Sequence, residues 1–370
     1  MKKLTALLLA VILILPLFSC SKKYKPQESS ALEASTVYTL SLDGKTYEVK
    51  YELYRALFLN FKSLIDGGDE SVWTGENKAE YIERINDTVL TLATDIYAAF
   101  HLCEKIGVNL YNKSTEKKIE EFIKTSVEGG ILDGESYAGT GNYEAYLAQL
   151  KANNMNYSVA VLMYRYSLAT DAIDEYYIGT LSTGEVEDGF KSGAIEYTEE
   201  DVRAFYESDK CVRILRHYIQ DGIYGDATEQ YASTVRGYLL EAANEGDEVV
   251  ADEIMGNSNL ADITEADSII ARYNLDRAYF GEMTDAAFAL ELGEVSELIK
   301  IRDGFADGYY ILYRAQKSEE HFTKRYSAIA YIYLRNRVGE ALENIRASLA
   351  ESAVPTDFFS GLNHAEISMD

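Results

Sequence analysis

The first pattern along the chain is an apolar run from Leu4 to Leu17, broken only by Thr5 and Pro16 and preceded by Lys2 and Lys3. A charged head and an apolar stretch of this length read as a secretory signal, because a spanning helix needs roughly 20 apolar residues. Residues 21–36 are polar and poor in aliphatic side chains, which predicts a flexible tether. From Val37 to Lys50 apolar residues alternate on either side of Asp43-Gly44, the pattern of a β-hairpin. Helical spacing then takes over. Tyr81, Ile85, Val89, Leu92, Ile96, Phe100 and Cys103 recur every three or four positions, predicting a helix over 78–106 that Gly107 ends. Shorter helical patterns cover 113–128 and 141–152, and a tyrosine-rich one covers 154–179. Gly184, Gly189 and Gly193 mark a boundary after it.

The second half changes character. Thr198-Glu199-Glu200-Asp201 has the form of a capping box opening a short helix. Val212 to Gln220 reads as a strand, and helices follow over 228–245 and through Val249, Val250 and Ile254. A small helix around 285–290 leads into the turn at Gly293, and two strands, 297–301 and 309–314, flank a loop rich in Gly and Asp. Strand, helices, strand, strand describes an α+β unit of domain size. The chain closes with a long amphipathic helix over about 319–352, with Pro355 just beyond it. Such a helix needs a partner face, and the amino-terminal helices offer one.

Charge narrows the partners. The formal net charge is −26, and −28 once Lys2 and Lys3 leave with the signal. A surface of that sign repels nucleic acid and anionic headgroups. Leu17-Phe18-Ser19-Cys20 resembles the lipobox of bacterial lipoproteins, in which the cysteine is lipidated before cleavage. The resemblance implies a chain exported and tethered by a lipid on Cys20 to the outer face of a membrane, with the lipid as its only membrane contact. Cys103 and Cys211 are then the remaining thiols, and two buried free thiols fit better than a disulfide. Neither lies in a CxxC, and there is no HExxH, Walker loop or GxSxG. With only four histidines as well, no metal or other cofactor is expected.

Two stretches carry a second resemblance. Tyr279 to Ser296, which contains Ala286-Ala287-Phe288-Ala289-Leu290 and Gly293-Glu294-Val295-Ser296, and Asp307 to Arg314 resemble the carboxy-terminal half of the parvulin-type peptidyl-prolyl isomerase domain. Arg216-His217-Tyr218-Ile219 is similar to its histidine-bearing first strand. The arrangement as a whole looks like the SurA/PrsA group of extracytoplasmic foldases. This implies an α+β fold in which a mainly helical, chaperone-like domain is completed by the long carboxy-terminal helix. The parvulin-like domain, a small antiparallel sheet with helices, is inserted into it. The expected division is a signal over 1–19, lipidated Cys and tether over 20–36, helical domain over 37–196, parvulin-like domain over 197–318 and closing helix over 319–370.

Rotation about an X-Pro bond must cross a barrier of ~18–20 kcal/mol, and no nucleophile is needed to lower it. By resemblance, two histidines on adjacent strands, a nearby Cys or Asp and an apolar proline pocket do this work. His217 aligns with the first histidine and Tyr310 with the second. The Cys/Asp position falls on Leu260, with Asp262 out of register, and Met283, Phe288 and Tyr279 stand at the pocket. The site is therefore expected to be eroded. Three readings follow. One is a membrane-anchored isomerase-like foldase for unfolded exported polypeptides, with weak or lost activity. The second is a non-catalytic peptide-binding chaperone or scaffold. The third, a solute-binding lipoprotein, is disfavoured because no repeated βα pattern builds two doubly wound lobes.

Overall fold

The computed structural model describes residues 24–132, 135–179, 193–220, 227–257, 267–273, 277–301 and 308–369. The lipobox and the expected Cys/Asp position at Leu260 lie outside these residues. The fold is α+β, with small antiparallel sheets set among helices. Two compact units account for the chain. One comprises the residues up to Tyr97, Asn109–Leu168 and everything from Leu349 onward; the other comprises Ala98–Val108 and Ala169–Ser348.

The first unit opens with the expected hairpin, β1 (Thr36–Leu42) and β2 (Lys45–Lys50). Asp43 and Gly44 both take positive φ at its turn. Helix α1 (Tyr51–Asp66), which the sequence reading passed over, buries Leu53, Tyr54, Ala56 and Phe58. Asp66 at its end accepts a 2.7 Å hydrogen bond from the indole of Trp73, the chain's single tryptophan, which is fully buried. Helix α2 (Lys78–Lys105) begins in this unit, followed by α3 (Lys113–Glu128), the hairpin of β3 (Gly130–Leu132) and β4 (Glu135–Tyr137), α4 (Tyr143–Ala152) and α5 (Tyr157–Tyr177). Asn112 and Asn142 cap α3 and α4 by accepting from backbone N–H groups of their first turns. Ile123, Val127, Tyr146, Leu150 and Ala160 pack these helices together.

Two segments at the extremes of this unit depart from expectation. Residues 24–35, read above as part of the tether, are fastened to the body. Arg55 donates to Glu33 at 2.7 Å, Asn156 bridges Glu33 and Glu52, and Ser29 donates to Glu52. These polar partners hold a segment that has no apolar stripe to announce it. Pro355 does more than end a helix. With Val354 it forms β9, which pairs with Tyr38 and Thr39 of β1 at the sheet edge, where a missing N–H is tolerated. Beyond it, the rings of Phe359 and His364 pack on Tyr54, and His364 also packs on Phe58.

The second unit is built on a four-stranded antiparallel sheet of β5 (Cys211–Gln220), β6 (Asp267–Ala271), β7 (Ile299–Ile301) and β8 (Gly308–Arg314), in the order β6-β5-β8-β7. The expected capping box is present: Thr198 and Asp201 exchange hydrogen bonds at the start of α6 (Glu199–Glu207). Alternation sorts the sheet's side chains into two layers. Leu215, Ile219, Tyr309, Ile311 and Tyr313 pack against α7 (Thr228–Ala242) and α8 (Asp247–Asn257). Val212, Ile214, Tyr310 and Leu312 pack against α9 (Arg277–Ala289), a longer helix than the spacing suggested. Helix α10 (Glu319–Glu351) contributes its residues up to Ser348 to this unit, together with the last turns of α2 and α5. Arg335 of α10 pairs with Asp174 of α5 at 3.0 Å.

The closing segment makes a testable demand. Deleting residues 353–370 removes β9 and the rings over Tyr54 and Phe58, and uncovers the wall around Trp73. Tryptophan emission should shift to the red and the urea midpoint should fall. Emission and midpoint unchanged from the full chain would show that the segment carries no part of the core.

Candidate functional site

Register decides which side chains meet. Along β5 and β8 the partners are His217↔Ile311 and Tyr218↔Tyr310. Directly opposed residues share a face and their neighbours take the other. Tyr218 and Tyr310 therefore lie on the α9 face, with ring centroids 4.8 Å apart, and His217 lies on the opposite face. His217 and Tyr310, the positions aligned with the two histidines, thus stand on adjacent strands with their side chains on opposite sides of the sheet. The alignment matched positions along each strand, and a one-residue offset between strands inverts the face.

The α9 face carries two more of the expected residues, Met283 and Phe288. Ile299 of β7 pairs with Tyr310, so Tyr218, Tyr310 and Ile299 form one row across three strands. Met283, buried, and Phe288, half-buried, belong to the same cluster. Tyr279 falls on α9 near its amino-terminal end. Two contributors went unread in the sequence. Tyr218 was passed over beside His217, although strand alternation gives it the face that Tyr310 uses. Arg272 lies with its guanidinium 4.7 Å from the centre of the Phe288 ring, a cation–π contact at the rim. Gly308 makes room for this arrangement. A Cβ there would come within 2.6 Å of the Tyr218 ring and 2.5 Å of the Ile219 carbonyl oxygen. Chemically the face is an apolar and aromatic layer that α9 closes over: Met283 and Tyr310 are buried in it, and only Tyr218 and Phe288 stay half-buried. His217 does not reach it.

On the other face His217 is fully buried within the layer that α7 and α8 cover. Among the described residues neither ring nitrogen has a hydrogen-bond partner. Burial alone pushes its pKa down to about 4. The ring is neutral at ordinary pH and cannot supply positive charge to a twisting amide.

A polar cluster not foreseen from the sequence braces the β6 side of the sheet. Arg213 donates twice to Asp267, at 3.0 and 2.7 Å; His321 Nε2 lies 3.2 Å from the same carboxylate, and Tyr206 Oη lies 3.0 Å from His321 Nδ1. Burial works against the Asp267 charge, but hydrogen bonds from His321 and Arg213 outweigh it and hold the carboxyl down at about 2. Side chains of α10 satisfy backbone groups of β6 and the residues after it. Arg325 donates to the Asp267 carbonyl at 3.2 Å, and Asn336 accepts from the Tyr273 N–H at 3.0 Å. An otherwise open sheet edge is thus shielded. Cys103 and Cys211 are free and buried, and burial pushes their thiols up to about 12 and about 11. Among the described residues no group of three or more His, Cys, Asp or Glu side chains could hold a metal ion.

Two measurements test this geometry. Gly308→Ala should cost about 1–3 kcal/mol in urea unfolding, because the new methyl meets backbone as well as the Tyr218 ring. A fully stable variant would contradict the close approach. His217 titrates more readily unfolded than folded, so its contribution is fully present above pH 6.5 and is lost as pH falls from 6.5 to about 4. His217→Leu should flatten that acid limb by about 3 kcal/mol. Parallel pH profiles for wild type and variant would place the imidazole in water.

No family model matches the chain, and no curated protein sequence matches it. Solved structures are similar to it. The foldase protein PrsA from Streptococcus pneumoniae str. Canada MDR_19A shares 14% identity over 87% of this chain and 96% of its own, with a TM-score of 0.29. PrsA from Bacillus subtilis shares 16% identity over 72% of this chain and 86% of its own, with a TM-score of 0.23. The foldase protein PrsA from Lactococcus lactis shares 14% identity over 90% of this chain and 99% of its own, with a TM-score of 0.24. The likeness spans most of each chain.

Proposed function

We propose that the protein is a lipid-anchored, extracytoplasmic chaperone of the foldase type, which holds extended segments of exported polypeptides and has little or no prolyl isomerase activity. The observation that carries this reading is the register of β5 and β8, which separates His217 from Tyr310. The aligned positions do not converge on a substrate, whereas the half-buried rings of Tyr218 and Phe288 lie on one face beside buried Met283 and Tyr310. A face of this kind binds through area and ring contacts, which suits clients of varied sequence. Lowering an amide barrier asks for more: polar groups aimed at the twisted bond. The sequence resemblance to parvulin-type domains, with the signal and lipobox before it, supplies the cellular setting.

A protease-coupled assay on a proline peptide, run beside suppression of aggregation of an unfolded client, tests the reading. The expected result is a rate close to the uncatalysed one, with aggregation still suppressed. His217→Leu should leave suppression unchanged at neutral pH. Phe288→Ser combined with Tyr218→Ser should weaken it severalfold. Acceleration of the proline peptide that His217→Ala abolishes would overturn the reading in favour of a working isomerase.

A further inference from the structure

Residues 24–35 and the helices they dock on enclose a cavity of about 300 Å³ within the first unit. Gln27 and Glu33 of the docked segment line it together with Arg55 of α1 and Leu147, Leu150 and Lys151 of α4. Arg55 is only 8% exposed. Among the described residues its guanidinium makes one hydrogen bond, from Nη2 to Glu33 at 2.7 Å, and its buried Nε has no partner. A guanidinium carries five N–H donors, accepts nothing and keeps its charge at every ordinary pH. A buried donor of that kind facing a cavity calls for an acceptor inside it.

Charge says what kind of acceptor fits. The chain as a whole is strongly acidic, with a formal net charge of −26. The cavity is different: two cations, Arg55 and exposed Lys151, line it against one carboxylate, Glu33. That carboxylate is already met by the Ser30 N–H, by Asn156 and by Arg55 itself. Glu52 lies outside the lining and is met by Asn156 and Ser29. What the polar wall lacks is therefore an oxyanion. The rest of the wall is apolar, since Leu147, Leu150 and Met155 also belong to the cluster that packs α3, α4 and α5. We propose that this cavity is a binding site for a small carboxylic acid with an apolar body. Its carboxylate accepts from Arg55 Nε with Lys151 as the second cation, and its body lies against Leu147, Leu150 and Met155. Water could meet Nε, but the volume is about ten times a water's share of the liquid, and it reaches the lower end of the range for small-molecule sites, about 300–1,000 Å³. Because Gln27 and Glu33 come from the docked segment, a bound acid also fastens that segment to α1 and α4. Neither lipidation of Cys20 nor client binding enters into this site.

Isothermal titration of the full chain at neutral pH with three probes tests the site: N-acetyl-leucine, N-acetyl-leucinamide and leucinamide. They share one apolar side chain and present a carboxylate, a neutral amide and an ammonium. N-acetyl-leucine should bind saturably, one per chain, and about tenfold or more tightly than the other two. Arg55→Lys keeps the charge but removes Nε, and should weaken that binding about tenfold. Lys151→Gln, at an exposed position, should weaken it severalfold. Arg55 also holds Glu33, so its variants risk losing stability, and a second change avoids that risk. Ala148 is exposed on α4 and lines the cavity, so Ala148→Phe should block entry while the urea midpoint stays that of wild type. Equal or tighter binding of the amide or the ammonium would overturn the recognition of a carboxylate. Carboxylate binding that survives both Arg55→Lys and Ala148→Phe would place the probe elsewhere and overturn the site. Absence of saturable binding by all three probes would leave the cavity to water and overturn it as well.

Discussion

The pairing of β5 with β8 governs the second unit. Seven residue pairs, from Ile214↔Arg314 to Gln220↔Gly308, fix which side chains join the α7–α8 layer and which join the α9 layer. Because side chains alternate along a strand, no intermediate arrangement exists: a slip of one residue would exchange the entire contents of the two layers. Local features hold the register. Gly308 accepts the Tyr218 ring at one end, and at the other Arg314 donates to the Ala287 carbonyl of α9 and to the Leu290 carbonyl just beyond it. The bidentate Arg213–Asp267 pair ties β6 into the same frame. The aromatic face and the neutral, buried His217 both follow from that one alignment of strands.

The first unit is organised differently, around polar ties that close it at its edges. Glu33, Arg55 and Asn156 meet near the amino-terminal segment, and burial, which raises the Glu33 carboxyl, is outweighed by hydrogen bonds from Ser30, Asn156 and Arg55 that hold it down at about 2. Trp73 and Asp66 do similar work in the core. Hydrogen bonds to charged groups contribute roughly 1.5–3 kcal/mol each, so a handful of them can order a polar segment that apolar burial alone would leave loose.

Much of this was legible in the chain. Asp43-Gly44 announced its hairpin because few other residue pairs adopt two positive φ values, and Thr198 with Asp201 announced a helix start because both hydrogen bonds are local. The stripe from Tyr81 to Cys103 spelled out α2 for the same reason. Helix α1 was passed over although Leu53, Tyr54, Leu57, Phe58 and Phe61 recur at helical spacing on one face, because the apolar run Ala56 to Leu59 draws the eye from that period. Strand β6 is five residues long and ends in a charged network that only the fold assembles. Docking of residues 24–35 rests in part on partners more than 100 positions away, such as Glu128 and Asn156. The candidate site was half readable: Met283, Phe288 and Tyr310 fall together, but the side of the sheet that His217 occupies depends on register between strands that lie nearly 100 residues apart. Spacing within one strand does not carry that information.

Strand β9 imposes an order of events. Its partner β1 was made more than 300 residues earlier, and the Thr356 hydroxyl donates to the Thr36 carbonyl across 320 positions. The first sheet therefore waits, edge open, through the synthesis of nearly the whole chain, while the second unit has its full complement by Ser348. Contacts of such sequence separation form late and slowly. A polypeptide that completes its first unit last keeps that unit unlocked until synthesis reaches Thr356, and any product ended before it is marked by an unfinished edge.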